Sequence, residues 1–300
     1  MIDFNAFEAI LLDLDGTVYH EEHALPGAVQ LVGRLQAEGR KYACLTNSTS
    51  SPDRIAARLT RMGINLDPDH VYTAAAATAD YVLQTFGSAP DAQRALDQPL
   101  AVSPRHSSHD HATKTDVRNI QIGSRTPRVF NLSTEGIEEM LQGKVHWTQS
   151  ASEECDVVIC GVPLNVYGTE DRQRTAMLLL RNGAALVGIC ADRVYPSPRG
   201  LEFGVGAMAA MLAYAAGIQP VFCGKPEKLF FNELCHRLNV RPDRCVLIGD
   251  NLESDIAGAK GVGMKTILTL TGVATRDDVE KLPPEKMPDW IIEDLTAIVK

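Results

Sequence analysis

The chain has 300 residues, 45% of them apolar and 22% charged, so it is long enough for about two domains and is neither disordered nor fibrous. Its 29 basic and 38 acidic residues give a net charge of −9, which disfavours a general nucleic-acid-binding protein. The N-terminus lacks the pattern of a signal peptide, and no apolar run reaches the roughly 18 residues that span a membrane. Seven scattered cysteines without a CxxC pair indicate reduced thiols. The sequence therefore predicts a cytoplasmic protein without nucleic-acid or membrane partners.

Short apolar runs alternate with amphipathic helical segments along the chain, which is typical of a parallel α/β sheet. Proline in a first turn and glycine after a last turn mark the helix ends, as at Pro52 and Gly63. In chain order, the predicted strands are 9–12, 42–45, 129–132, 156–160, 185–190, 221–223, 245–248, 265–270 and 290–292, and the predicted helices are 31–35, 52–62, 172–181 and 227–238.

The middle of the chain is predicted to form a second unit. Residues 81–206 form an α/β domain inserted into a core made of residues 1–80 and 207–300. Within it, residues from about 88 to 127 are rich in Ser, His, Asp and Pro and lack periodicity, which predicts a polar surface insertion. The cluster between His106 and His111 has a spacing that can hold a transition metal, although a solvated loop is the commoner meaning of such a cluster.

Residues 204–209 match a G-x-G-x-x-A dinucleotide fingerprint. The match does not follow a buried strand, and no acidic residue ends the next strand about 20 residues on, as that fold requires. The pattern is therefore predicted to be a tight helix start that returns the chain to the core.

Four polar segments directly follow predicted strands: Asp13–Thr17, Thr46–Ser48, Gly224–Pro226 and Gly249–Asp255. The carboxyl ends of parallel strands lie at one edge of a sheet, so these segments can converge despite their separation in sequence. Asp13 and Asp15 leave the strand end on the same side, and paired carboxylates repel unless a cation or a proton lies between them. Together with Asp250 they form an oxygen-ligand set that suits Mg²⁺.

The remaining residues of these segments suit a phosphate group. Lys225 supplies a compact positive charge, Thr46 supplies a hydroxyl, and N–H groups at the start of the following helix favour an anion. Each motif alone has an ordinary explanation as a turn, a loop or a helix cap. As an ordered set at strand ends, they indicate a site for phosphoryl transfer.

The ordered motifs resemble those of the haloacid dehalogenase-like hydrolases. They are Asp-Leu-Asp-Gly-Thr from Asp13, Leu-Thr-Asn around Thr46, Gly-Lys-Pro around Lys225, and Gly-Asp-x4-Asp from Gly249. Two longer segments, Gly-Asp-Asn-Leu-Glu-Ser-Asp-Ile-Ala-Gly-Ala from Gly249 and Leu-Thr-Gly-Val-Ala-Thr-Arg from Leu270, resemble the branch of p-nitrophenyl phosphatases, phosphoglycolate phosphatases and NagD-type phosphatases. The resemblance implies a Rossmann-like three-layer core with a parallel sheet, and an α/β cap inserted between the second and third motifs. Related caps often dimerise, so it also allows a homodimer.

The resemblance also implies catalytic and phosphate-binding roles. Asp13 is then the nucleophile, which attacks phosphorus and forms an aspartyl-phosphate. Asp15 protonates the leaving alcohol and then activates the water that hydrolyses this intermediate. Thr46, the backbone near Asn47, and Lys225 hold the phosphoryl oxygens.

A magnesium site follows from the same resemblance. Mg²⁺ is expected between the Asp13 carboxylate, the Asp15 carbonyl and Asp250. Asn251 and Asp255 are expected to hold the metal ligands or Lys225 in position without binding the metal themselves.

The cap segments depart from the family pattern, so the substrate stays open among small phosphate esters. In the loop that faces the site in the family, Asp192 matches, but Cys190 stands where the family has Asn. An earlier Gly-x-Asp becomes Gly161-Val162-Pro163. Two alternatives remain besides a phosphatase: a non-catalytic protein that binds a phosphorylated ligand, and a phosphomutase.

Overall fold

The computed structural model describes residues 2–87, 126–162, 168–197 and 200–299. The His106–His111 cluster and nearly all of the predicted insertion at about 88–127 lie outside these residues. In chain order the strands are β1 (Ala9–Asp13), β2 (Tyr19–His20), β3 (His23–Ala24), β4 (Lys41–Thr46), β5 (Val71–Thr73), β6 (Arg128–Leu132), β7 (His146–Trp147), β8 (Val157–Cys160), β9 (Ala185–Gly188), β10 (Val194–Ser197), β11 (Gly200–Phe203), β12 (Val221–Phe222), β13 (Cys245–Gly249), β14 (Lys265–Thr269) and β15 (Trp290–Ile292). The α-helices are α1 (Ala28–Ala37), α2 (Pro52–Arg61), α3 (Ala74–Phe86), α4 (Glu135–Leu141), α5 (Glu170–Arg181), α6 (Val205–Ala216), α7 (Lys228–Leu238), α8 (Gly258–Gly261) and α9 (Arg276–Glu280).

A parallel sheet in the order β15-β14-β13-β1-β4-β5 forms the core. The central strand β1 is buried on both faces, as its continuous apolar run predicts. Because successive side chains of a strand point to opposite faces, Leu11 joins the apolar cluster that contains Phe230 and Phe231 of α7. Ile10 joins the cluster on the other face, which includes Leu59 of α2. Helices therefore cover both faces of the sheet.

A second parallel sheet, in the order β12-β9-β8-β6-β7, forms the cap. Helices α5 and α6 pack on it through one apolar cluster, in which Leu179 and Leu212 contact strand residues such as Phe130 and Val158. Both sheets are parallel and flanked by helices, so the predicted α/β fold class is confirmed.

Helix α6 begins at Val205, so the predicted helix start after Gly204 is confirmed. The helix does not return the chain to the core, however, because its buried residues Ala209 and Leu212 pack in the cap cluster. Strand β12 then adds to the cap sheet. The predicted boundary between residues 206 and 207 thus falls inside α6, and we propose that the cap ends near residue 223.

All seven cysteines lie in the described part of the chain and are free, and six of them are buried. Within the described ranges, none of the helices combines the length and apolar character that crossing a bilayer requires.

Candidate active site

Three adjacent strands bring the predicted residues to one edge of the core sheet. β13, β1 and β4 end at Gly249, Asp13 and Thr46, and the Asp13 backbone pairs with Leu45. One carboxylate oxygen from each of Asp13, Asp250 and Asp255 lies within 4.8 Å of the others, and all three residues are buried. The structure therefore brings Asp13 and Asp250 together as predicted, but the third carboxylate of the cluster is that of Asp255 and not that of Asp15. The catalytic roles of these residues stay predictions.

Lys225 lies between two of these carboxylates. Its Nζ contacts Asp13 Oδ1 and donates to Asp255 Oδ1 at 2.7 Å. The second oxygen of Asp255 accepts the Asn251 backbone N–H at 3.1 Å. Both Asp255 oxygens are thus engaged within the protein, whereas Asp13 Oδ2 accepts a long hydrogen bond from the Thr17 hydroxyl, at 3.4 Å.

Burial controls the ionisation of this cluster. Loss of hydration raises the pKa of Asp13 to about 7; attraction to Lys225 opposes this rise, and repulsion from Asp250 adds to it. Burial likewise raises the pKa of Asp255 to about 6, and repulsion from Asp13 adds to this rise. Attraction to Lys225 opposes it. Burial opposes the charge of Lys225 itself, but attraction to Asp13 and Asp255 outweighs it and raises the lysine pKa. Three carboxyl groups thus share one ammonium group, and an added cation would stabilise their ionised forms.

The loop after β14 completes the surroundings of Asp250; its sequence carries part of the family resemblance, but the sequence analysis assigned it no role in the site. Asp250 Oδ2 accepts the Val273 N–H at 2.7 Å, and Thr271 Oγ1 donates to the Gly16 carbonyl at 2.6 Å. A Cβ on Gly272 would lie 2.0 Å from Asp250 Oδ2. The available signal was the position of Thr271-Gly272-Val273 just after a predicted strand, as for the four assigned motifs.

We expect Gly272→Ala to displace the Asp250 carboxylate, because there is no room for the added methyl group. Turnover should fall by roughly a hundredfold, a loss that a shift of about 1 Å in a reaction site can cause. Gly33→Ala is the matched control: its Cβ meets open space within α1, so it should raise stability by up to about 1 kcal/mol and leave turnover unchanged. Steady-state rates and thermal unfolding of both variants check this, and equal rates would contradict it.

Asn47 connects three segments through its side chain. Its Oδ1 accepts the Lys225 backbone N–H at 2.8 Å, and its Nδ2 donates to the Lys225 carbonyl at 3.0 Å and to Asp192 Oδ2 at 3.1 Å. The Cys190 thiol also contacts Asp192 Oδ2, at 3.2 Å. The predicted cap residue Asp192 thus lies beside the predicted phosphate loop and is held by the core. Thr46 is buried, and its hydroxyl accepts the Ser48 N–H at 3.2 Å.

Asp15 lies apart from the buried cluster. Its side chain is 65% exposed, and His20 Nδ1 lies 4.0 Å from Asp15 Oδ1. An exposed carboxyl two residues from Asp13 can exchange protons with a bound molecule or with water. The remaining predicted residue, Asn251, accepts the N–H groups of Glu253 and Ser254 and so caps the helical turn that carries Asp255.

The chain is similar to two families of hydrolases and to several phosphatases. A haloacid dehalogenase-like hydrolase family matches residues 10–96, and a HAD-hydrolase-like family matches residues 222–298. An acid sugar phosphatase from Staphylococcus saprophyticus is 29% identical over 98% of this chain and 97% of its own length. The crystal structure of a glycerol phosphate phosphatase from Mycobacterium tuberculosis in complex with magnesium is 26% identical, with a TM-score of 0.76 over 98% of this chain and 77% of its own. A 4-nitrophenylphosphatase from Thermotoga maritima, 24% identical, shares the fold with a TM-score of 0.78 over 99% of this chain and 97% of its own.

Proposed function

This chain belongs to the haloacid dehalogenase-like hydrolases, and we propose that it is a Mg²⁺-dependent phosphatase that hydrolyses a small phosphomonoester. The observation that carries the proposal is the buried Asp13 carboxylate at the end of the central strand, with Lys225 on one oxygen and Asp250 beside it. A protein that only binds phosphate has no need of a nucleophile in this place.

The relatives favour a small polar substrate. They are named for sugar phosphates, glycerol phosphate and 4-nitrophenyl phosphate, and we propose a substrate of this class. We also propose that the chain belongs to the NagD-type branch, because an α/β cap lies between the segments that carry its second and third motifs.

The proposed reaction proceeds in two displacements at phosphorus. Asp13 Oδ2 attacks in line, the bond to the leaving oxygen breaks, and Asp15 gives that oxygen a proton. Asp15 then accepts a proton from water, which attacks phosphorus and releases inorganic phosphate and the Asp13 carboxylate. Lys225 and Thr46, with the backbone near Asn47, stabilise the charge on the phosphoryl oxygens.

The donor set fits a divalent cation. Buried carboxylates within 4.8 Å of one another repel, and Lys225, one ammonium group for three carboxyl groups, does not neutralise them. We propose Asp13, Asp250 and the Asp15 carbonyl as ligands, with Asp255 occupied by Lys225 instead. When bound, Mg²⁺ would offset the negative charges that meet as carboxylate and phosphate approach each other. The glycines at positions 16 and 272 leave the Asp250 carboxylate uncrowded.

We expect chelation by EDTA to abolish hydrolysis and added Mg²⁺ to restore it. A fixed Mg²⁺ concentration, about 100 times the Kd at pH 8, should also raise the Tm by roughly 5 °C. This rise should be larger at pH 8 than at pH 5.5. A carboxyl whose pKa is raised by folding binds its proton more tightly in the folded state, so the metal-free protein loses stability as the pH rises through the Asp13 value of about 7. Mg²⁺ binding requires the ionised carboxylate, so the affinity for Mg²⁺ increases over the same pH range. Thermal unfolding at both pH values, with and without Mg²⁺, measures this, and a pH-independent rise would contradict it.

A substrate panel tests the function against its alternatives. It should contain p-nitrophenyl phosphate, sugar phosphates, glycerol phosphate, phosphoglycolate, nucleoside monophosphates and pyridoxal phosphate, with released phosphate as the readout. A phosphatase releases phosphate from at least one of them. Binding without release would support the phospho-ligand-binding alternative, and an isomerised product without free phosphate would support a phosphomutase.

A further inference from the structure

A short cap helix, α4, lies against the loop that follows Thr46. Just before this helix, Thr134 Oγ1 donates to the Thr49 carbonyl at 3.0 Å. In its first turn, Gly136 approaches the same carbonyl so closely that a Cβ would lie 2.7 Å from the oxygen. The cap therefore holds the main chain of this loop from one side.

The core holds the same loop from the other side. The Ala75 N–H donates to the Ser48 carbonyl at 3.3 Å, and the Ser48 N–H donates to Thr46 Oγ1 at 3.2 Å. Ser48 Oγ accepts the Ser50 N–H at 3.1 Å. The path of the main chain from Thr46 to Ser50 is thus set jointly by core and cap contacts.

Ser51 extends this loop into helix α2, where it is the N-cap residue. A serine in this place usually accepts an N–H of its own helix, but Ser51 makes no such bond. Its hydroxyl instead donates to Glu139 Oε2 of the cap helix at 3.0 Å, and Ser51 is only 3% exposed. The start of α2 is therefore oriented by a carboxylate of the cap.

Arg54, one turn further along α2, binds the same glutamate. Its Nε lies 3.1 and 3.2 Å from the two Glu139 oxygens, and its Nη1 lies 3.0 Å from Glu135 Oε1. These three side chains are about half exposed, so a single pair of this kind contributes little to stability. Here one carboxylate binds Arg54 in a forked geometry and Ser51 at once, which restricts its orientation.

We propose that Glu139 is a positioning residue for the phosphate-binding loop and acts through Ser51 and Arg54. The proposal rests on the proposed function, because it assigns phosphate binding to the loop from Thr46 onward. If Glu139 fixes the start of α2 and the preceding loop, its removal weakens the binding of the phosphoryl group without touching the nucleophile. Cap and core would then contribute jointly to phosphate affinity.

Kinetics of Glu139→Ala test this. We expect the KM for p-nitrophenyl phosphate and the Ki of inorganic phosphate both to rise about tenfold, with kcat changed by less than about threefold. Glu139→Gln keeps acceptors for Ser51 and Arg54, so it should restore most of the affinity. Ser51→Ala removes one hydroxyl, should fold normally, and should shift KM and Ki in the same direction.

Glu38→Ala is the matched control, because Glu38, the C-cap residue of core helix α1, forms a similarly exposed ion pair with Arg34. It should leave KM and Ki unchanged. A lower Tm without a change of KM or Ki in Glu139→Ala and Ser51→Ala would overturn the proposal.

Calorimetric titration with inorganic phosphate distinguishes failure of the proposed function from failure of the Glu139 proposal. If the wild type hydrolyses no ester of the panel yet binds phosphate, the proposed function fails while the same variants still test Glu139; if it binds no phosphate, both fail.

Discussion

Asp13→Asn should lower the rate of phosphate release by at least about a thousandfold at saturating Mg²⁺ and substrate. The amide keeps the size of the side chain but is a far weaker nucleophile, so the covalent step is lost. The fold should persist, because Lys225 keeps its bond to Asp255 at 2.7 Å. Phosphate release, with circular dichroism and thermal unfolding on the same samples, measures the effect.

Thr17→Val is the matched control for this prediction. The Thr17 hydroxyl lies 3.4 Å from Asp13 Oδ2, and the residue is fully buried, so valine fills the same space without the hydroxyl. Its loss should cost less than about tenfold in rate, since one weak hydrogen bond is removed. Asp13→Asn with near wild-type turnover would exclude Asp13 as the nucleophile.

Lys225→Met should destabilise the metal-free protein by about 3–5 kcal/mol and also abolish turnover. The variant removes the only ammonium group that contacts the buried Asp13 and Asp255 carboxylates in the described part of the chain, and a buried carboxylate without its partner is strongly destabilising. Because both carboxyl groups can then take up protons, the loss should be smaller at pH 5 than at pH 8. Chemical denaturation at both pH values measures it.

Two controls separate charge from volume in this prediction. Lys265→Met breaks an ion pair of the same length with Asp289, but this lysine is 54% exposed, so it should cost less than about 1 kcal/mol. The double variant Lys225→Met with Asp255→Asn lacks one of the two buried carboxylates that Lys225→Met leaves without a partner. It should regain much of the stability that Lys225→Met loses, without regaining turnover. Equal destabilisation by Lys225→Met and Lys265→Met would contradict the assigned role of burial.

The cap shows where sequence reasoning reached its limit. The strands of the cap are apolar runs, and β6, β8 and β9 lie where they were predicted. The cap end that we propose near residue 223 differs from the predicted one because α6 is alanine-rich and apolar on most of its surface, so its sequence does not say which sheet it covers. Only the packing of Leu212 against the cap cluster decides that.

The contacts of Glu139 with Ser51 and Arg54 could not be predicted from the sequence either. Arg54 and Glu139 are separated by 85 residues, and charged residues on amphipathic helices are ordinarily solvated. Nothing in the local pattern distinguishes this pair from Arg34 and Glu38, which are one helical turn apart. A contact between distant exposed charges depends on how two domains dock, which local propensity does not contain.

The sequence by itself determined the fold class, the family and the edge of the sheet where the chemistry gathers, because short-range patterns specify strands and the carboxyl ends of parallel strands share one edge. Only the tertiary structure decided which charged side chains contact one another there and which remain exposed. Lys225 binds both Asp13 and Asp255, Asp15 remains exposed, and Asp192 turns to Asn47. These pairings depend on distances of a few ångströms and on burial, since both set the energy of a charge, and neither is present in the order of residues along the chain.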